Sequence, residues 1–142
     1  MTTPKLRIAV ECSRNGPGPL VTACVALLEG RPDEVSDTMI TLLGGDPART
    51  VLDGNAGGRD GYWPRVWGAR GLLHAWDPAA TSAIIDATHD EAWRVREMAA
   101  KVIARYRVGA AFDAVAELRA DPVERVRNAA ARAVTVLTAA GA

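Results

Sequence analysis

Three arginines, Arg65, Arg94 and Arg125, each stand directly before a valine in a similar local setting, and Trp63 and Trp93 lie beside the first two. Guanidinium groups in a row grip carboxylates or phosphates through paired hydrogen bonds, and a part-exposed indole supplies a large amphipathic anchor. That is the chemistry of recognition. Bond-making chemistry finds less support. His74 and His89 have no serine or cysteine nucleophile pattern beside them and no second ligand at metal spacing, so neither reads as a general base or a metal ligand. Asp86 and Asp90 are four residues apart and could face each other on a helix, but Asp90 reads as a helix N-cap. Cys12 and Cys24, separated by eleven residues, match neither a zinc motif nor a disulfide framework and read as two buried free thiols. The one glycine-rich stretch, Gly54 to Gly61, lacks the Lys-Ser or Lys-Thr of a phosphate-binding loop and follows no buried strand, so it reads as a loop or hinge. No catalytic constellation, metal or cofactor is expected, and the chain reads as a non-enzyme.

The arginines are placed by a repeat. Trp93-Arg94-Val95-Arg96-Glu97-Met98-Ala99-Ala100-Lys101-Val102-Ile103 returns 31 residues later as Glu124-Arg125-Val126-Arg127-Asn128-Ala129-Ala130-Ala131-Arg132-Ala133-Val134. Val95, Ala99, Val102, Ile103 and Tyr106 share one helical stripe, as do Val126, Ala130, Ala133, Val134 and Leu137. Start signals precede both helices: Asp90 for the first, and Asp121 as N-cap with Pro122 at N1 and Glu124 at N3 for the second. The repeat extends backward, since Ala83, Ile84, Ile85 and Asp86 align with Ala114, Val115, Ala116 and Glu117. Each unit is thus a helical pair, its first helix running from about Pro78 to Thr88 and again from about Gly109 to Arg119. A divergent third copy of the second helix runs from Arg65 to Trp76, where His74 takes the place of Ile103 in a part-buried packing role and His89 falls at a helix end. A period of this length belongs to stacked helical arrays, in which one pair alone cannot bury its apolar stripe.

Before residue 60 the period fades. Helices are expected from Pro4 to Arg14, Leu20 to Glu29 and Asp33 to Leu43, each closed by a glycine or by Asn15-Gly16. Leu6, Ile8 and Val10 alternate as a short strand would, but Thr3-Pro4 resembles a cap followed by N1 and favours helix.

Composition sets the outer bounds. At 142 residues the chain has the length of one domain, and lysine plus arginine equal aspartate plus glutamate at 17 each, which leaves no long-range positive field to draw it to nucleic acid or anionic membranes. No stretch nears the roughly 20 apolar residues of a membrane span, so a cytoplasmic protein is expected.

Asp90, Arg94-Val95-Arg96, Ala99-Ala100 and Ile103, repeated as Asp121, Arg125-Val126-Arg127, Ala130-Ala131 and Val134, resemble the HEAT repeat, closest to the short bacterial subclass first associated with phycobilisome lyases. The resemblance covers residues 60 to 139 and reaches the first 59 only through helix content. It implies an all-α fold, a short right-handed α-solenoid of antiparallel helix pairs with about three to four units, in a single domain over 1-142 whose residues 1-59 form a divergent helical part. It also implies a structural ladder between neighbouring units from Asp90, Arg96, Asp121 and Arg127, pairing Asp90 with Arg127 or Arg96 and Asp121 with Arg127. Trp67 stands where the first copy should carry that arginine, so there it would pack on the N-terminal helices, with Trp76 also in the core.

The function expected is a non-catalytic protein-protein interaction or assembly module that binds a protein partner through Arg65, Arg94, Arg125, Trp63 and Trp93. The alternative is a nucleic-acid-binding or DNA-repair module on the arginine-lined face. Asp86, Glu91, Glu97, Glu117 and Glu124 interrupt that face and weigh against it. An enzyme or small-ligand carrier that uses the tryptophan-rich region 62 to 76 and a homo-oligomer paired through the last helix stay open.

Overall fold

The computed structural model describes residues 2–141, and every regular element among them is helical. The chain divides into two compact units, Met1–Ala80 and Thr81–Ala142, so the division falls inside the repeated stretch, just ahead of its first full helix pair.

In the first unit α1 (Pro4–Asn15) begins where the Thr3 hydroxyl accepts from the Leu6 N–H at 3.1 Å and ends at Gly16, whose φ of 76° a side chain would disfavour. The alternating Leu6, Ile8 and Val10 therefore lie on a helix; only Ile8 is buried. α2 (Gly18–Leu28) follows. The third helix departs from the sequence expectation. Pro32–Glu34 forms a single 3-10 turn, Val35 is extended and buried, and α3 (Asp37–Gly44) starts only after Ser36, whose hydroxyl accepts from the Met39 N–H. Ser36 is the stronger cap here because Val35 can reach the core only if the chain is extended before it. α4 (Pro47–Leu52) is a short further helix that buries Ala48 and Val51.

α5 (Trp63–His74) is central to this unit and packs against α2, α3 and α1. It buries side chains around most of its circumference because two glycines let its neighbours come close. A Cβ on Gly68 would lie 2.8 Å from the Cys24 carbonyl oxygen, and one on Gly71 would lie 2.5 Å from the Cys24 sulfur. Trp67 is seated by a third: its indole covers Gly44 of α3 so closely that a Cβ there would stand 2.7 Å from the ring. The C-terminal carbonyls of α3 are satisfied by two arginines, Arg7 donating to Leu42 O and Arg70 to Leu43 O, both at 2.7 Å. Burial, and secondarily the neighbouring Arg7 charge, pushes the Arg70 guanidinium below its ordinary range.

The second unit consists of two helix pairs. The first helices, α6 (Thr81–Ala87) and α8 (Phe112–Leu118), are shorter than the apolar pattern implies, because each is preceded by a 3-10 turn, Pro78–Ala80 and Gly109–Ala111 respectively. The second helices are α7 (Trp93–Tyr106) and α9 (Glu124–Gly141), and within the unit α7 packs on both α6 and α9 while α8 packs on α9. The repeated stripe makes the core: Val95, Ala99, Val102 and Ile103 are fully buried, as are Val126, Ala130 and Ala133 in the second copy. Ile84 and Val115, aligned by the repeat, meet this core from α6 and α8.

Candidate functional site

Both inter-helix turns of the second unit are built alike. The Asp90 carboxylate accepts from the Ala92 N–H and the Asp121 carboxylate from the Val123 N–H, each at 2.9 Å. Asp90 and Asp121 therefore order the turn from three residues before the first helical residue, instead of capping the helix: Ala92 holds the N-cap of α7, and Pro122 lies outside α9, which starts at Glu124. Six residues beyond each aspartate an arginine reaches back to its backbone carbonyl, Arg96 to Asp90 O at 2.9 Å and Arg127 to Asp121 O at 2.8 Å.

Of the pairs the resemblance implies, Asp90 with Arg96 and Asp121 with Arg127 thus meet at backbone carbonyls, and the Asp121 carboxylate is held by a further arginine. Arg96 reaches forward to the next turn, its Nε donating to Asp121 Oδ2 at 2.8 Å and its Nη2 to Oδ1 at 3.2 Å. Arg127 meets Asp121 at the carbonyl, since the carboxylate is already held by Arg96 and the Val123 N–H. Burial acts to raise the Asp121 carboxyl, but the Arg96 and Val123 hydrogen bonds and the Arg96 and Arg127 charges outweigh it and hold it below the ordinary aspartate range.

On the neighbouring edge α7 and α9 bring together Trp93, Arg94 and Arg125. The Arg94 guanidinium carbon lies 4.4 Å from the Trp93 ring centroid and that of Arg125 5.3 Å, both within cation–π reach. Below them Glu97 is nearly buried. It accepts from Arg125 Nε at 3.0 Å, and Lys101 Nζ lies 3.8 Å from the same oxygen. The Arg125 side chain remains 65% exposed, so its outer nitrogens face solvent while Nε is anchored. Glu97 thus fixes the edge. The repeat alone does not announce that role, because the second copy has Asn128 at this position; a carboxylate one turn beyond Trp93, with a cation four residues on, is the only local signal.

Arg65 and Trp63 belong to the first unit. Arg65 donates to the Gly61 carbonyl at 3.2 Å, and Trp63 stacks on Trp67 with centroids 6.4 Å apart and beside Tyr62 at 5.0 Å. Trp67 is buried; Trp76, expected in the core, is half-buried, as are Trp63 and Trp93. An open groove in this unit is lined by Pro19, Val25, Ala26, Val35 and Met39 among others, and no tryptophan lines it. His74 is half-buried. His89 is exposed just past the end of α6, its Nε2 3.8 Å from Glu117. Cys24 is buried and Cys12 only half-buried; burial, with the nearby Cys12, pushes the Cys24 thiol up to about 12. Among the described residues no three His, Cys, Asp or Glu side chains gather as a metal site requires, and no helix is long and apolar enough to cross a membrane.

Tandem helix pairs, a repeated Asp-to-Arg turn and a core of valines and alanines in register define an all-helical repeat protein. The family model for HEAT repeats matches residues 62–135, just over half of the chain, and the chain belongs to the HEAT-repeat family. No curated protein and no solved structure matches it.

Proposed function

We propose that this protein is a non-catalytic interaction or assembly module that binds a protein partner through the edge formed by Trp93, Arg94 and Arg125. The observation that carries this reading is the construction of the edge. An indole and two guanidiniums converge over a nearly buried carboxylate that holds one of them in place, which reduces the entropy lost when a partner docks. Trp and Arg are also the residue types on which interface energy concentrates. Repeat families present such surfaces on a scaffold whose own core needs no ligand. Trp63 and Arg65 provide a similar pair on the first unit and are proposed as secondary contacts. The Glu97 carboxylate within the edge disfavours a phosphate backbone there, so the nucleic-acid reading has less support.

Affinity capture from a native lysate of the source cells tests the proposal, comparing the wild-type protein with a Trp93→Ala, Arg94→Ala variant whose fold is checked by circular dichroism. A specific protein is captured by the wild type and lost by the variant. Unchanged capture rejects this surface.

A further inference from the structure

The second unit separates its charges by helix. The first helices carry only acids, Asp86 on α6 with Asp113 and Glu117 on α8. The second helices are basic: α7 carries Arg94, Arg96, Lys101 and Arg105 against Glu97, and α9 carries Arg125, Arg127 and Arg132 against Glu124. Arg96 and Arg127 are occupied by the turns. The other cations share one stripe, in which Lys101 and Arg125 also contact Glu97. On α7 Arg94, Met98, Lys101 and Arg105 fall at i, i+4, i+7 and i+11, and on α9 Arg125, Ala129, Arg132 and Val136 fall at the same intervals. Lys101, Arg105, Arg125 and Arg132 are exposed, with Met98 and Ala129 half-exposed between them. Among the described residues no carboxylate pairs with Arg105 or Arg132.

With a rise of 1.5 Å per residue, the α7 stripe runs about 16 Å along the helix, and α9 packs on α7, an arrangement in which helix axes lie roughly 8 to 10 Å apart. The result is two neighbouring columns of positive charge, one interrupted by the Met98 thioether and the other by the Ala129 methyl group. A ligand for such a surface carries several negative groups along one face and at least one apolar group among them.

We propose that the α7–α9 stripe docks an acidic segment of a partner protein, with carboxylates on Lys101, Arg105, Arg125 and Arg132 and an apolar side chain against Met98 and Ala129. The proposal rests on the reading of this unit as a protein-binding module and supplies the chemistry of its partner. Three features favour a peptide over a nucleic acid. The Trp93 ring lies under two guanidiniums, which leaves it poorly placed to stack a base. Glu97 contacts Arg125 and Lys101 and lowers the positive potential of the stripe, which disfavours the dense, regular charge of a phosphate backbone more than the sparser carboxylates of a peptide. Met98 offers an apolar seat that a sugar-phosphate backbone does not fill.

The test uses a fluorescein-labelled peptide of Glu-Glu-Leu-Glu repeats, its Gln-Gln-Leu-Gln counterpart and labelled oligothymidylate, titrated by anisotropy with the full chain at low and at physiological ionic strength. Arg105→Glu with Arg132→Glu is the diagnostic variant, because it leaves Trp93, Arg94, Glu97 and Arg125 intact. The acidic peptide binds the wild type and loses about tenfold or more in affinity on charge reversal, while the glutamine peptide and the oligonucleotide bind more weakly than it does. Arg105→Gln with Arg132→Gln gives an intermediate loss and serves if the reversed variant does not fold. Equal affinity of wild type and variants overturns the proposal, and oligothymidylate binding more tightly than the acidic peptide overturns it in favour of nucleic acid. If no acidic peptide binds while lysate capture still depends on Trp93 and Arg94, the acidic-partner proposal falls and the module reading stands; if both fail, both fall.

Discussion

Arg96 and Asp121, 25 residues apart, meet through two hydrogen bonds, Nε to Oδ2 at 2.8 Å and Nη2 to Oδ1 at 3.2 Å, with side chains only 15% and 5% exposed. This contact ties the first helix pair of the second unit to the turn of the next. Removing one member of a buried pair leaves the other charge without compensation, at a cost of about 3 kcal/mol or more. Arg96→Met should lower the urea midpoint accordingly. In a cycle with Asp121→Ala, the double variant should be less destabilised than the sum of the singles by about 1 to 2 kcal/mol. Additive losses would show that the contact contributes nothing specific.

The same contact makes stability depend on acid. Because the folded Asp121 carboxyl lies below its unfolded value of about 3.9, the folded state binds this proton less readily than the unfolded chain does. Its contribution is fully present above about pH 4 and is lost as pH falls through the lower, folded value. Asp121→Asn removes the titrating group while keeping an acceptor for the Val123 N–H. Thermal midpoints followed downward from about pH 5 should therefore fall less steeply in Asp121→Asn than in wild type. Parallel slopes would assign the acid response to other carboxylates.

The close approach of α5 and α2 predicts an unusual response to alanine. In an open helix Gly→Ala gains up to about 1 kcal/mol. At Gly68 the added Cβ meets the Cys24 carbonyl oxygen at 2.8 Å and the Leu27 Cβ at 3.1 Å, neither of which can move without shifting α2. Overpacking of this kind costs about 1 to 3 kcal/mol, so Gly68→Ala should lower the thermal midpoint despite its better helix propensity. Gly71→Ala meets the Cys24 sulfur instead, at 2.5 Å. Combining it with Cys24→Ala should recover part of its loss, whereas Cys24→Ala should not rescue Gly68→Ala, whose obstacle is backbone.

These elements also mark what the chain's residue pattern could reveal. The helix pairs were legible because one stripe, Val95-Ala99-Val102 and Val126-Ala130-Ala133, returns in register, and a repeated stripe constrains its own partner. The turn aspartates and their arginines were legible as a set. The contacts of Asp90 with Arg96 and of Asp121 with Arg127 were among the expected ones; the Arg96–Asp121 carboxylate contact was not, because the repeat places these residues in rows without giving the direction in which each guanidinium leans. One helix start suffered from local competition: the expected helix opens at Asp33, but the burial of Val35 transfers the start to Ser36. Glu97 was hidden for a different reason. Its partner Arg125 lies 28 residues away, and the second copy replaces the carboxylate with Asn128, so no periodic signal exists.

Glu97 also sets the electrostatics of the basic stripe, which leads to the last prediction. Its single negative charge lies within 3.8 Å of Lys101 and 3.0 Å of Arg125, and so it offsets part of the field of both columns. Glu97→Gln keeps the shape and leaves an amide oxygen to accept from Arg125 Nε, so the fold should change little. The stripe gains one unit of positive charge. Binding of the Glu-Glu-Leu-Glu peptide should then strengthen by several-fold at low salt and the gain should shrink at physiological salt, where the screening length is about 8 Å. If instead Glu97→Gln weakens peptide binding while the protein remains folded, Glu97 acts chiefly by holding Arg125 in position. The edge would then depend on that anchoring more than on its net charge.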